Sequence, residues 1–294
     1  MAETEVKIGR RRIRISSSDK VLFPADGITK EDLANYYAAV APVMAPHVRD
    51  RPLNLWRWNR GIDHEVVIQQ AIPKGAPDWV KRVTVSRRKG GDVTHAVGGE
   101  PATLVWLANQ NCITPHAWTA KADKPDKPDR IVFDFDPPDE GDGHIDAIRA
   151  GALAIGDLLR EYGLTPFVMT SGSRGIHVVA PLRRGPDSNT VRTRSGELAE
   201  EVAERLPDQL TTSWRKAGRG GRVLVDAARN TYAQTAVAPY AVRAKPGAPV
   251  ATPLFWDEVA DADPRGWTLK NVPGRLEERG DPWQDIAKAA AKLP

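Results

Sequence analysis

The chain has 294 residues, 42 basic against 38 acidic side chains, one cysteine, and 24 each of glycine and proline. With 41% hydrophobic residues the composition is that of a globular protein, and a chain of this length buries roughly 75% of its unfolded surface. The lone Cys112 excludes a disulfide framework and a cysteine-based zinc site. The stretch Met1 to Ser18 lacks the apolar core of a signal peptide, and no run approaches the ~20 apolar residues of a membrane span. An intracellular, reducing setting is expected.

In chain order, RIRIS (12–16) alternates as a strand, and a helix is predicted over 29–44. There Thr29 can cap, Asp32 stands three residues on, and Leu33, Tyr36, Tyr37 and Val40 form an apolar stripe. Further strands are predicted at PLNLWRW (52–58), KRVTVSR (81–87) and RIVFDF (130–135). A second helix runs over 145–162 and stops at Gly163; strands PFVMTS (166–171) and IHVVAPL (176–182) follow. A third helix starts near Ser195 and is closed by Pro207, and RVLVDA (222–227) reads as the next strand. The Pro/Gly-rich stretches at 121–129, 181–189 and 244–253 read as loops, and there is no internal repeat. Strands and helices mix without a strict βαβ rhythm, so the expected class is α+β in one domain or two closely packed lobes.

Charge is laid out in patches. Bases cluster at Lys7–Arg14, Arg82–Lys89 and Arg215–Arg222, while Asp134, Asp136, Asp139, Glu140, Asp142 and Asp146 form an acidic run free of Lys and Arg. Each patch alone reads as a solvated loop; together they match a polyanion-binding protein with one acidic metal pocket.

Within Arg130–Pro138 the side chains alternate, so Val132, Asp134 and Asp136 share one face and Ile131, Phe133 and Phe135 the other. Two like charges on one face repel unless protons, basic side chains or a divalent cation offset them, and Pro137 and Pro138 end the strand where a ligand can reach it. Mg2+ or Mn2+ is the obvious cation, a solvated strand end the bland alternative. Ser171-Gly-Ser-Arg-Gly-Ile-His177 links two strands as a glycine-bearing turn whose backbone amides can approach a phosphate, an ordinary hairpin being the alternative. Asp226 closes another apolar run and is, by itself, a cap or an ion-pair partner as readily as a ligand.

The segments DKVLFP with TKEDL (19–33), RPLNLWRW (51–58), PKGAPDWV (73–80), PHAW (115–118), PDRIVFDFDP (128–137), TSGSRGIHVV (170–179) and 225–259 resemble the polymerase domain of bacterial ligase D, within the archaeo-eukaryotic primase superfamily. The likeness is nearly end to end. It implies a primase-polymerase fold, with an RRM-like catalytic sheet packed against a second mixed α/β lobe, in a single domain over 1–294. It divides into an N-terminal lobe (about 1–120), a catalytic core (about 121–259) and a C-terminal helical extension (about 260–294). The activity implied is template-directed addition of nucleoside monophosphates to DNA primer ends or short gaps during end joining, with ribonucleotides preferred.

By this resemblance Asp134, Asp136 and Asp226 bind two divalent ions, Mn2+ or Mg2+, with no zinc. His116, Ser171, Ser173, Arg174, His177, Gln234 and Arg243 serve the incoming nucleotide, with Arg174 in a place where the family often has lysine. Lys20, Lys30 and Arg57 serve the DNA and the 5′-phosphate of a downstream strand. The partners implied are gapped, nicked or overhanging DNA and nucleoside triphosphates, with Ku and a DNA ligase as possible associates; no membrane is implied, and the place is the cytoplasm, at the nucleoid.

Departures accompany the likeness. Val67, Ile68, Gln69 and Gln70 replace an aromatic pair, an acid and a lysine, which removes a template-stacking platform and puts end-bridging in doubt. Ser17 stands where an asparagine often assists the 5′-phosphate pocket, and ITPHAW lacks an acid some relatives carry. No ligase nucleophile motif and no histidine cluster of an end-processing nuclease is visible, which suggests a stand-alone paralogue or an excised polymerase. A metal-dependent nuclease or phosphotransferase, and a catalytically weak DNA-end-binding relative, are the alternatives.

Overall fold

The N-terminal alternation forms a hairpin: β1 (Glu3–Ile8) pairs antiparallel with β2 (Arg11–Ser16) and turns Val6, Ile13 and Ile15 inward. The short pair β3 (Val21–Phe23) and β4 (Ile28–Thr29) then leads into α1 (Lys30–His47). Thr29 and Asp32 close the expected capping box, each side chain accepting from the other's backbone N–H. The helix outlasts the predicted end at 44 and runs through Pro42 and Pro46. The computed structural model describes residues 2–87, 90–138 and 143–294; the predicted charges Arg88, Lys89, Asp139, Glu140 and Asp142 lie outside them.

After α1 come β5 (Leu53–Arg57), β6 (Val67–Gln69), the hairpin of β7 (Arg82–Ser86) and β8 (Asp92–Ala96), α2 (Pro101–Asn109) and β9 (Cys112–Trp118). Next are β10 (Arg130–Asp136), α3 (Ile145–Glu161), β11 (Phe167–Thr170), β12 (Ile176–Pro181) and α4 (Ser188–Arg205). The chain closes with β13 (Leu210–Thr211), α5 (Lys216–Arg219), β14 (Val223–Asp226), β15 (Thr235–Val237), β16 (Pro253–Leu254) and α6 (Val272–Arg279). The expected α+β class holds. Helix α4 begins well before the predicted Ser195, because Asp187 accepts the Thr190 N–H and caps a turn that composition alone reads as loop. Among the elements that went unpredicted, α2 and β9 have clear physical reasons. Helix α2 is apolar nearly all round and carries no amphipathic stripe, and β9 contains Pro115, whose missing N–H argues against an inner strand.

Two sheets organise the molecule. The four-stranded sheet has the order β15-β9-β5-β6, and the six-stranded one the order β13-β14-β10-β12-β11-β16, antiparallel except for β13–β14. One face of the larger sheet, bearing Ile131, Phe133, Phe135, Ile176 and Val178, packs against α3 and α4. The opposite face gives Val132, Met169 and Val179 to a second core built on α1, α2 and the smaller sheet, in which Cys112 is also buried. Buried Arg51 joins these parts, pairing with Asp129 at 2.6 Å and donating to the carbonyls of Trp118 and Thr119. None of the helices described is long and apolar enough to cross a membrane.

Beyond 260 the chain contains one α-helix and a turn-rich tail. The tail is fastened by Asp281, whose carboxylate lies 2.7 Å from His47 Nε2 and accepts from the Tyr240 hydroxyl at 2.6 Å, and by buried Trp283, which donates from its indole to the Val168 carbonyl. Burial raises the Asp281 carboxyl, but His47 and the Tyr240 hydroxyl outweigh it and hold the group below the usual range. A depressed carboxylate contributes stability above its unfolded pKa and loses it as pH falls through the folded one. Asp281→Ala is therefore expected to cost about 3–5 kcal/mol at pH 7. In urea unfolding, the gap to wild type should narrow below about pH 4.

Candidate active site

Strand β10 sits between β12 and β14, and its register decides the site: Asp134 lies opposite His177 on one side and Asp226 on the other. Direct cross-strand partners project to the same face, so these side chains converge, with Asp136 two residues along the same edge. His177 Nε2 is 3.2 Å from Asp134, and Arg229 stands 3.8 Å from Asp134 and 3.6 Å from Asp226, spanning the two carboxylates. Asp226 also accepts the Ala228 N–H at 2.7 Å.

The electrostatics split the trio. Burial would raise the Asp134 carboxyl, but His177, Arg229 and Arg243 together hold it below the usual range. Burial and the neighbouring Asp134 charge push Asp136 and Asp226 up. In their present arrangement no group of three or more His, Cys, Asp or Glu side chains among the described residues is set to hold a metal ion. The donor chemistry nevertheless fits a hard divalent cation: carboxylate oxygens on adjacent strands, two with raised pKa, and an arginine already lying between two of them.

The 171–175 segment between β11 and β12 is the predicted turn, closed by the Ser171 N–H donating to the Gly175 carbonyl. The Ser171 hydroxyl is used internally, accepting the Ser173 and Gly175 N–H groups. Two arginines grip the turn from outside: Arg243 donates to the Ser171 carbonyl at 3.2 Å and Arg265 to that of Ser173 at 2.8 Å. Arg243 is itself positioned by α1, where Tyr36 donates to the Tyr240 carbonyl and Tyr37 accepts the Val242 N–H. A cavity of about 210 Å3 brings together Asp134, Asp136, Ser171, Ser173, Arg174 and His177, along with His116, Arg229 and Arg243. His116 is buried, and burial followed by the Arg243 charge drives its pKa well down, so the ring is neutral. Gln234 is not brought in: it is exposed, and Thr235, Ala236 and Val237 line the cavity instead.

Lys20, Lys30 and Arg57 gather away from the carboxylates, around the C-terminal end of α2. Lys30 is buried and donates to the carbonyls of Ser16 and Asn109, while Arg57 donates to that of Gln110 and to the Gln69 side chain. Lys20 donates to the Asn59 carbonyl, and burial followed by the Lys20 charge lowers the pKa of Lys30. Cations at a helix C-terminus meet its unpaired carbonyls. Ser17 adopts φ 48, a left-handed conformation that asparagine tolerates more readily.

A family model described as "LigD, primase-polymerase domain" matches residues 29–283. The chain belongs to the LigD primase-polymerase domain family. It is accordingly a nucleotidyltransferase. Among curated relatives, the multifunctional non-homologous end joining protein LigD of Mycobacterium bovis is 34% identical over 92% of this chain, and that of Pseudomonas aeruginosa 30% over 96%. The chain spans only 36% and 34% of the length of those two proteins. A solved structure, the polymerase domain from Mycobacterium tuberculosis ligase D in complex with DNA, superposes with a TM-score of 0.87 at 32% identity, covering 95% of this chain and 99% of that one. The expected primase-polymerase fold therefore holds.

Three contributors to the LigD-type site escaped sequence reasoning. Arg229 bridges two aspartates, Arg265 holds the turn, and buried Asn230 extends the sheet past the end of β14 by pairing its amide with both backbone groups of Val132 at 2.8 Å. An asparagine four residues past a strand-ending aspartate is the one signal the sequence carried. Gly175 is held to zero side chain: a Cβ there would stand 2.2 Å from the Phe135 carbonyl oxygen. Gly175→Ala is expected to cost about 1–3 kcal/mol in urea unfolding by forcing β10 and β12 apart, and to take nucleotidyl transfer down with it.

Proposed function

We propose that this chain is a template-directed polymerase that adds nucleoside monophosphates, ribonucleotides preferentially, to the 3′ end of a DNA primer at short gaps and broken ends. The observation that carries the reading is the cavity in which Asp134 and Asp136, with Asp226 opposite Asp134 on the neighbouring strand, face the glycine turn that contains Arg174 and is held by Arg243. Asp134, Asp136 and Asp226 would hold two divalent cations, Mn2+ or Mg2+, whose charge lowers the pKa of the primer 3′-hydroxyl and offsets that of the transferred phosphate. Ser173, Arg174 and Arg243, on and beside the turn, orient the triphosphate for in-line attack. His177 keeps Asp134 ionised and fixed in direction. Neutral His116, beside the same cavity, offers a ring nitrogen to a sugar hydroxyl without repelling the cations, which supports a ribose preference.

The basic cluster of Lys20, Lys30 and Arg57 would take the 5′-phosphate across a gap, and end joining with Ku and a DNA ligase, at the nucleoid, completes the reading. Exposed Val67 and Ile68 on β6 supply no aromatic platform for bridging two ends.

The test is primer extension on gapped and overhanging templates with Mn2+ or Mg2+ and either ribo- or deoxynucleotides. Wild type should extend, faster with ribonucleotides, and Asp134→Ala and Asp136→Ala should fall to background; full activity in either variant overturns the mechanism. Separately, Lys20→Ala is expected to weaken binding to a 5′-phosphorylated gap about tenfold, the scale of one charge-assisted hydrogen bond. Binding to the unphosphorylated gap should stay unchanged, as read by fluorescence anisotropy.

A further inference from the structure

Trp56 lies where two cavities meet. On β5 it pairs with Thr114 on one side and Ile68 on the other, and its ring stacks on His116 at 4.3 Å with a 24° tilt. Asn54, Trp56, Thr114, His116 and Ile68 therefore share the sheet face turned to the site, while Leu53 and Leu55 fill the core behind it. Unlike those leucines, Trp56 is only half-buried. It lines the aspartate cavity, and also a second cavity of about 440 Å3 lined by Trp58, Thr114, Lys245 and Arg265. The two share the wall formed by Trp56, Ser173, Arg174 and Arg243. The second cavity holds four cationic side chains and no carboxylate.

We propose that Trp56 is the stacking platform for the base of the incoming nucleotide, an inference that rests on the nucleotidyltransferase reading above. A nucleoside triphosphate anchored at the 171–175 turn must direct its phosphates at the aspartates and its base elsewhere, and the second cavity opens from the same turn. Trp58 is nearly buried, so Trp56 is the tryptophan that presents a face there. His116 backs the other side of the ring and holds its plane, which limits the ordering cost of stacking. An indole stacks on any base and so leaves base choice to the template.

Binding of GTP and of inorganic tripolyphosphate to the full chain, with Mn2+, tests this by calorimetry. Trp56→Ala should weaken GTP binding by about 5–150-fold, the scale of one lost base stack, while tripolyphosphate, which has no base, binds within twofold of wild type. Trp56→Phe should recover most of the loss, and Trp56→Leu, which fills the space without an aromatic face, should not; that pair decides the matter if the alanine variant fails to fold. In extension assays the loss should fall on KM rather than kcat. GTP binding unchanged in the alanine or leucine variant overturns the proposal, as does equal loss of GTP and tripolyphosphate. Wild type that binds neither ligand overturns the nucleotidyltransferase reading and this inference with it.

Discussion

The structure turns on placing Asp134 and Asp226 opposite each other across two neighbouring strands. Like charges at that spacing repel, and burial deprives them of the water that would soften the repulsion. The basic side chains around them offset that strain. His177 occupies the other flank of β10, Arg229 reaches across both carboxylates, and Arg243 approaches from a separate segment. The compensation is uneven: it suffices for Asp134 and leaves Asp136 and Asp226 with raised affinity for a proton. A site left short of positive charge in this way favours a cation.

Rigidity around the trio comes from contacts outside it. Asn230 carries the β10 hydrogen-bond ladder past the end of β14, and the glycine at 175 lets β12 pass close to the Phe135 carbonyl. Tyr36 and Tyr37 reach from α1 to the segment that carries Arg243, so a helix in one core sets the aim of a side chain beside the other. Arg243 and Arg265 then hold two carbonyls of the turn from outside, while the Ser171 hydroxyl holds two of its amides from within.

Much of this was legible in the residues. The capping box at Thr29, the alternation that puts Asp134 and Asp136 on one face, and the turn at 171–175 all follow from local rules, because neighbours in sequence decide them. What escaped depends on partners far along the chain. Helix α2 is buried all round and shows no stripe, while β9 is held as a strand by β5 and β15 despite Pro115. Gln234 matched a motif, yet exposure places it outside the cavity that its neighbours line. The place of Trp56 beside the site depends on the register of β5 with β6 and β9.

The spatial order of the larger sheet, β13-β14-β10-β12-β11-β16, differs from the order in which its strands are synthesised. The strand carrying Asp134 is made early, that carrying His177 later, and that carrying Asp226 later again. Between the last two the chain must also form α4 and α5. A nascent chain thus holds an incomplete charge cluster while most of its hydrophobic surface is already available, and the pairings that complete it are among the long-range contacts that form slowly. The aspartate cluster is consequently completed only when β14 closes the sheet beside β10.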